Sequence, residues 1–191
     1  MPNRPTIYTL AAFLFLSACN NNKDEKASND TTKKTEQTTT NNTSADKSKR
    51  ATINVTITGG DMAGTYSTVC TDACCSWGIA GDNVFGNQYS ENGKGPKELS
   101  SVQLIVDDVK QGNKSTNEFT TTISFGELFG ANSKSFNIDT RKGKNDGSGK
   151  LDLQYEGDKA VVSIKGVSKE GPTIDLKMEC HKVLAASNLT E

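Results

Sequence analysis

From Ala51 onward, apolar and polar residues alternate with a period of two. Ile53, Val55 and Ile57 are interleaved with Thr52, Asn54, Thr56 and Thr58. The same alternation carries Val102, Leu104 and Val106, and it places Phe119, Thr121, Ile123 and Phe125 on one face. It returns in Leu151, Leu153 and Tyr155, in Ala160, Val162 and Ile164, and in Ile174, Leu176 and Met178. Successive side chains of a strand point to opposite faces, so this pattern predicts strands with one buried and one wet face. The breaks carry turn chemistry: Gly59-Gly60, Asn92-Gly93, Asn145-Asp146-Gly147, Glu156-Gly157-Asp158 and Glu170-Gly171-Pro172. Roughly eight strands are predicted, with no helix-length amphipathic run and at most one helical turn over Gly126–Ala131. The expected fold is all-β, an antiparallel β-sandwich or small barrel. Arg141–Gln154 reads as a hairpin loop leading into a strand, and the segments 150–155, 159–165 and 173–180 read as a meander.

Residues 20–50 differ in kind. They contain no Val, Ile, Leu, Met, Phe, Trp or Tyr. A segment with nothing to bury cannot offset the entropy of ordering, so a disordered polar tether is expected, with a coil reach of roughly 30 Å. Residues 51–191 then form one domain, long enough to fold around a core of its own. Acidic side chains outnumber basic ones in that domain and no basic patch stands out, which argues against nucleic acid as a partner.

Ahead of the tether, Ile7–Leu16 is apolar except for Tyr8 and Thr9. As a helix it would reach about 15 Å, short of the roughly 20 residues that cross a bilayer. Its proportions are those of a signal-peptide core. Leu16-Ser17-Ala18-Cys19 follows and resembles the lipobox of bacterial lipoproteins. That resemblance implies a signal peptide over residues 1–18, lipid on Cys19 (a palmitate-type acylation), and a lipidated tether over 19–50. Two or three acyl chains hold stably where one is marginal. Lys23-Asp24-Glu25 resembles the acidic export tag of surface lipoproteins of the Bacteroidetes, and Asp30-Thr31-Thr32 resembles their O-glycosylation motif, although plain linker accounts for the latter. The resemblance implies an outer-membrane protein that faces outward. The lipobox, the Thr-rich tether, a cysteine after the early strands and another ending the last strand also resemble small β-sandwich lipoproteins of bacterial envelopes.

The remaining chemistry is concentrated in cysteine. With Cys19 assigned to lipid, Cys70, Cys74, Cys75 and Cys180 are left. In an oxidising compartment they are disulfide candidates. If all pair, Cys180 joins one of Cys70, Cys74 or Cys75 and ties the last strand to an early one, and a strained Cys74–Cys75 ring is the least favoured remainder. The same residues offer an alternative, a Cys₃His zinc site from Cys70, Cys74, Cys180 and His181. Adjacent strand residues point to opposite faces, which separates Cys180 from His181. No metal or cofactor is therefore expected.

His181 is the only histidine, and no nucleophile motif accompanies it. Asp82, Asp107 and Asp108 form no readable acid–base pair, and Asn145–Gly149 lacks the order of a calcium loop. No catalytic residue is predicted. The stretch from Ser76 to Ser90 sets Trp77, Phe85 and Tyr89 among glycines and asparagines. Such a loop can be a contact surface, or its aromatics can plug one end of the core. The expectation is a non-enzymatic binding domain held to the membrane by lipid, with a protein or glycan ligand. Its rival is a structural or stress-related envelope lipoprotein without a ligand pocket.

Overall fold

The computed structural model describes residues 49–78, 81–109 and 112–185. The expected signal peptide, the lipid assignment of Cys19 and the expected tether up to residue 48 lie outside the described residues. The fold is an all-β sandwich of two six-stranded sheets. The strands are β1 (Ala51–Thr58), β2 (Gly64–Cys70), β3 (Cys75–Gly78), β4 (Gly81–Ser90), β5 (Leu99–Val106) and β6 (Lys114–Thr116). They continue with β7 (Thr120–Phe125), β8 (Lys134–Asp139), β9 (Ser148–Glu156), β10 (Lys159–Val167), β11 (Thr173–Cys180) and β12 (Leu184–Ala185). The first sheet runs β2-β1-β11-β10-β9-β6 and the second β12-β3-β4-β5-β7-β8.

All six runs with clear alternation are strands, and the last three form the expected meander. The count is twelve rather than eight. The additional strands lack the apolar signal: β2 reads Gly-Thr-Tyr-Ser-Thr-Val-Cys, while β6 and β12 hold three and two residues. Gly126–Ala131 forms irregular turns, and the single helical turn among the described residues is the 3₁₀ turn Arg141–Gly143.

Register explains the core of the first sheet. Ile53 pairs with Met178, Met178 with Val162, and Val162 with Leu153. Val55, Leu176, Ile164 and Leu151 make the next row. All eight side chains are buried. Each one kept from water is worth about 1.5–3 kcal/mol, which is why the strands turn this face inward. The second sheet supplies Phe85, Leu104, Val106, Ile123, Phe125 and Ile138, also buried. Thr121 points inward among them and donates its hydroxyl to the Gln103 carbonyl at 3.0 Å, so its polar atom is satisfied.

Two rows at opposite ends of the first sheet differ. One reads Cys70, Ala51, Cys180, Ala160, Tyr155; the other reads Ile57, Ile174, Gly166, Gly149. A row of the second sheet, Cys75-Asn87-Leu104-Thr121-Ile138, reaches both. Cys75 meets Cys180, and the Ile138 side chain fills the space above Gly166. That row therefore crosses the first sheet obliquely.

Candidate functional site

Three of the domain cysteines, Cys70, Cys74 and Cys75, sit where β2 gives way to β3, and the fourth, Cys180, ends β11. Cys70 stands at disulfide-bonding distance from Cys74, and Cys75 from Cys180. The Cα separations are 6.4 and 6.2 Å, inside the usual bridging range of about 4.4–6.8 Å. The strands account for the choice. Cys74 and Cys75 are adjacent: Cys75, inward on β3, faces Cys180 of the first sheet, while Cys74, just before the strand, turns to Cys70 at the end of β2. All four are buried. The Cys₃His arrangement is not assembled, because Cys180 is taken up by Cys75 and His181 is exposed, with Nε2 3.2 Å from the Thr52 hydroxyl. Among the described residues no group of three or more His, Cys, Asp or Glu is placed to hold a metal ion.

The aromatic segment is not a loop. Ser76–Ser90 is the β3–β4 hairpin, and Trp77, Phe85 and Tyr89 all point into the sandwich. Trp77 stacks edge-on against Phe85 at 5.2 Å and against Tyr155 of the first sheet at 5.3 Å. Three interlocked rings at one end of the core are a plug. They do not offer a contact surface, because burial leaves 7%, 0% and 4% of Trp77, Phe85 and Tyr89 exposed.

Tyr89 has a polar end. Its hydroxyl accepts from Thr68 of β2 at 3.0 Å and donates to Glu91 at 2.8 Å; Lys94 completes the chain 3.0 Å from Glu91. Burial raises the Tyr89 pKa, with the Glu91 carboxylate adding to it. The ammonium of Lys94, and then the Tyr89 hydroxyl, lower that of Glu91. The network ties edge strand β2 to the second sheet.

Several surface grooves carry polar side chains. One, of about 490 Å³, is lined by Asn113, Gln154, Tyr155, Glu156 and Lys159. Another, of about 360 Å³, includes Asp82, Asp107, Asp108 and Glu118. Asp107 there is a structural group: it accepts from Arg141 Nε and Nη2 at 2.7 and 2.8 Å, and these bonds hold its carboxyl below the usual carboxylate range. Asp146, within the glycine-rich Asn145–Gly149 stretch, lies 3.0 Å from Lys169.

Sequence reasoning missed two surface features. Among the described residues Phe129 is a fully exposed aromatic, at a positive φ of 62° on the turn after β7. Its bracketing glycines, Gly126 and Gly130, were the available signal. The other is β2, a seven-residue sheet edge without a charged residue. Comparison with protein-family models, with curated proteins and with solved structures finds no match.

Proposed function

We propose that this protein is lipid-anchored in the bacterial envelope and that its sandwich domain acts by binding rather than by catalysis. One observation carries the reading. The chain has five cysteines, and four of them stand in two pairs at disulfide distance. That leaves Cys19 as the odd one, in the position where the sequence resembles a lipobox. Paired cysteines fit an oxidising compartment, and an unpaired cysteine after a signal-peptide core fits lipid attachment. The outer membrane, with the domain facing outward, follows from the Lys23-Asp24-Glu25 resemblance.

Buried Trp77, Phe85 and Tyr89 favour the second reading, a structural envelope component, for that end of the molecule. A protein or glycan ligand would have to meet a sheet edge, an outer sheet face or a groove instead. The test is Cys19→Ser in cells. The expected result is a shift from the membrane to the soluble fraction, with a peptide mass at Cys19 in the parent protein that carries acyl chains. Unchanged membrane attachment with an unmodified Cys19 would end the anchoring proposal. Protease added to intact cells then decides the orientation, since an inward-facing domain stays uncut.

A further inference from the structure

The outer faces of the two sheets differ in chemistry. On the first sheet, neighbouring rows read Asn54-Lys177-Ser163-Asp152 and Thr56-Asp175-Lys165-Lys150. Lys165 lies 3.5 Å from Asp175 and Lys150 3.2 Å from Asp152, so charges hydrate that face. The second sheet turns a different surface outward across β4, β5, β7 and β8. One row is Ser90-Ser101-Ser124-Ser135, and the next is Gln88-Gln103-Thr122-Asn137. The third, Gly86-Ile105-Thr120-Asp139, carries the single charge of these rows, and Lys144 neutralises it at 2.6 Å. Strand formation favours β-branched and aromatic residues, and only Ile105, Thr120 and Thr122 answer to that here. Solubility does not require the composition either, since the first sheet meets water through charge.

We propose that this face binds a neutral glycan laid across β4, β5, β7 and β8. The proposal rests on the binding reading above and gives it a ligand class and a surface. The side chains select the occupant. A nucleic acid or an acidic glycan needs cations, and these rows hold no Lys or Arg. A protein partner is anchored at aromatic residues, Met or Arg, and the one large apolar side chain here is half-buried Ile105. Uncharged hydroxyls and amides remain, and each both donates and accepts. Sugar hydroxyls do the same, so the two surfaces match in kind and in charge. Part of the face is ordered in advance. Thr122 donates to Asn137 Oδ1 at 2.8 Å, Asn137 Nδ2 donates to Glu170 at 3.1 Å, and the Ser124 and Ser135 hydroxyls bond at 2.9 Å. Side chains already fixed lose little freedom on binding. Gln88 and Gln103, exposed and directly opposite each other, supply the amides that a ligand meets. Three rows over four strands span roughly 14 Å each way, room for a short run of sugar rings. No aromatic platform stacks on those rings, so the affinity belongs to the weak class, about 1 mM.

Residues 20–191 retain the whole core and serve for the test, purified oxidised and isotope-labelled for amide NMR. The probes are uncharged oligosaccharides of glucose, galactose, mannose and N-acetylglucosamine, with an oligouronate as the acidic control. At least one neutral probe is expected to shift the side-chain amide signals of Gln88 and Gln103 and to saturate near 1 mM, about equally at low and high salt. Gln88→Ala with Gln103→Ala is expected to weaken that binding about tenfold or more. Both residues are exposed, so the melting temperature should not change. Lys165→Ala, on the charged sheet, should leave the binding as it was. Four results would each overturn the inference. One is no shift with any neutral probe up to about 10 mM. Another is equal or tighter binding of the oligouronate. A third is neutral binding that survives the double variant, which would keep the binding reading but move it to another surface. The last is a concentration-dependent shift of the same face without sugar, which would make a second copy the occupant. None of these touches the anchoring proposal, since the test uses no lipid.

Discussion

The two ends of the first sheet meet the second sheet by different means. At one end the facing row is small: Ala51, Cys180 and Ala160, with buried Asn87 opposite, its Oδ1 taken up by the Tyr89 N–H at 3.2 Å. The Trp77 and Tyr155 rings meet at the margin of that row, and across its small middle Cys75–Cys180 joins the sheets. At the other end Gly149 and Gly166 face each other, and their missing side chains let Phe119 and Ile138 descend onto the backbone. No cross-link is needed there, because large side chains fill the gap at crystal-like density. The same oblique row of the second sheet is thus fastened covalently at one end and by packing at the other.

Breaking either end should be costly, and the packed end can be broken by a single substitution. A Cβ on Gly166 would collide with the Ser148 carbonyl and lie 2.8 Å from Ile138 Cδ1. Backbone cannot yield as a flexible side chain can. Gly166→Val is expected to destabilise by more than about 3 kcal/mol, measured by denaturant unfolding. A loss below about 1 kcal/mol would mean that the sheets separate easily at this point.

The cross-linked end can be dissected by removing one pair at a time. Cys75 and Cys180 are 105 residues apart, Cys70 and Cys74 only 4. In the chain-entropy model, closing the long loop stabilises by about 4–5 kcal/mol and the short one by about 2 kcal/mol. The double replacement Cys75→Ala with Cys180→Ala should therefore lower the unfolding midpoint clearly more than Cys70→Ala with Cys74→Ala. Equal losses would assign the effect to cavities left by four equally buried sulfurs rather than to loop closure.

These two ends were unequally legible in the sequence. The six long strands could be read because burial of one face imposes period two, and Ile53, Val55 and Ile57 obey it without exception. That Cys180 joined the 70–75 group was also accessible, but which partner it took was not. That depends on β3 turning Cys75 inward, and β3 was concealed inside what read as a loop. Glycines and asparagines from Gly78 to Asn87 suggested freedom, whereas the cross-strand partners of Gly86 and Asn87 fix them in a ladder. The Gly149–Gly166 contact was not legible, since a glycine's role there is set by a residue of the other sheet. β2 was missed for a related reason: as an edge strand it buries little, so selection for apolar residues on its face is weak.

Charge sharpens the comparison on a finer scale. Asp107 and Arg141 clamp the turn after β8 close to Phe119, whose backbone exchanges bonds with Thr140 at 3.0 and 3.1 Å. Asp107→Asn is expected to cost about 1–2 kcal/mol at neutral pH. Arg141 depresses the Asp107 pKa, so its contribution is present above the unfolded value of about 3.9 and is lost as pH falls through the lower folded value. The parent and the variant should therefore converge in stability in strong acid. Persistence of the full difference there would show that the guanidinium bonds are not its source.

Tyr89 gives the smallest effect and the opposite sign. Its hydroxyl joins β2 to the second sheet through Thr68 and ends on exposed Glu91, so Tyr89→Phe keeps the buried ring and removes two hydrogen bonds. The expected cost is about 1 kcal/mol, because Thr68 and Glu91 can each turn to water. Burial raises the Tyr89 pKa, so the neutral phenol's contribution is complete below the unfolded value of about 10 and is lost as pH rises through the higher folded value. The variant should therefore lose less stability than the parent between neutral and strongly alkaline pH. An equal alkaline loss in parent and variant, measured by denaturant unfolding, would show that the Tyr89 phenol is not the group whose ionisation destabilises the fold.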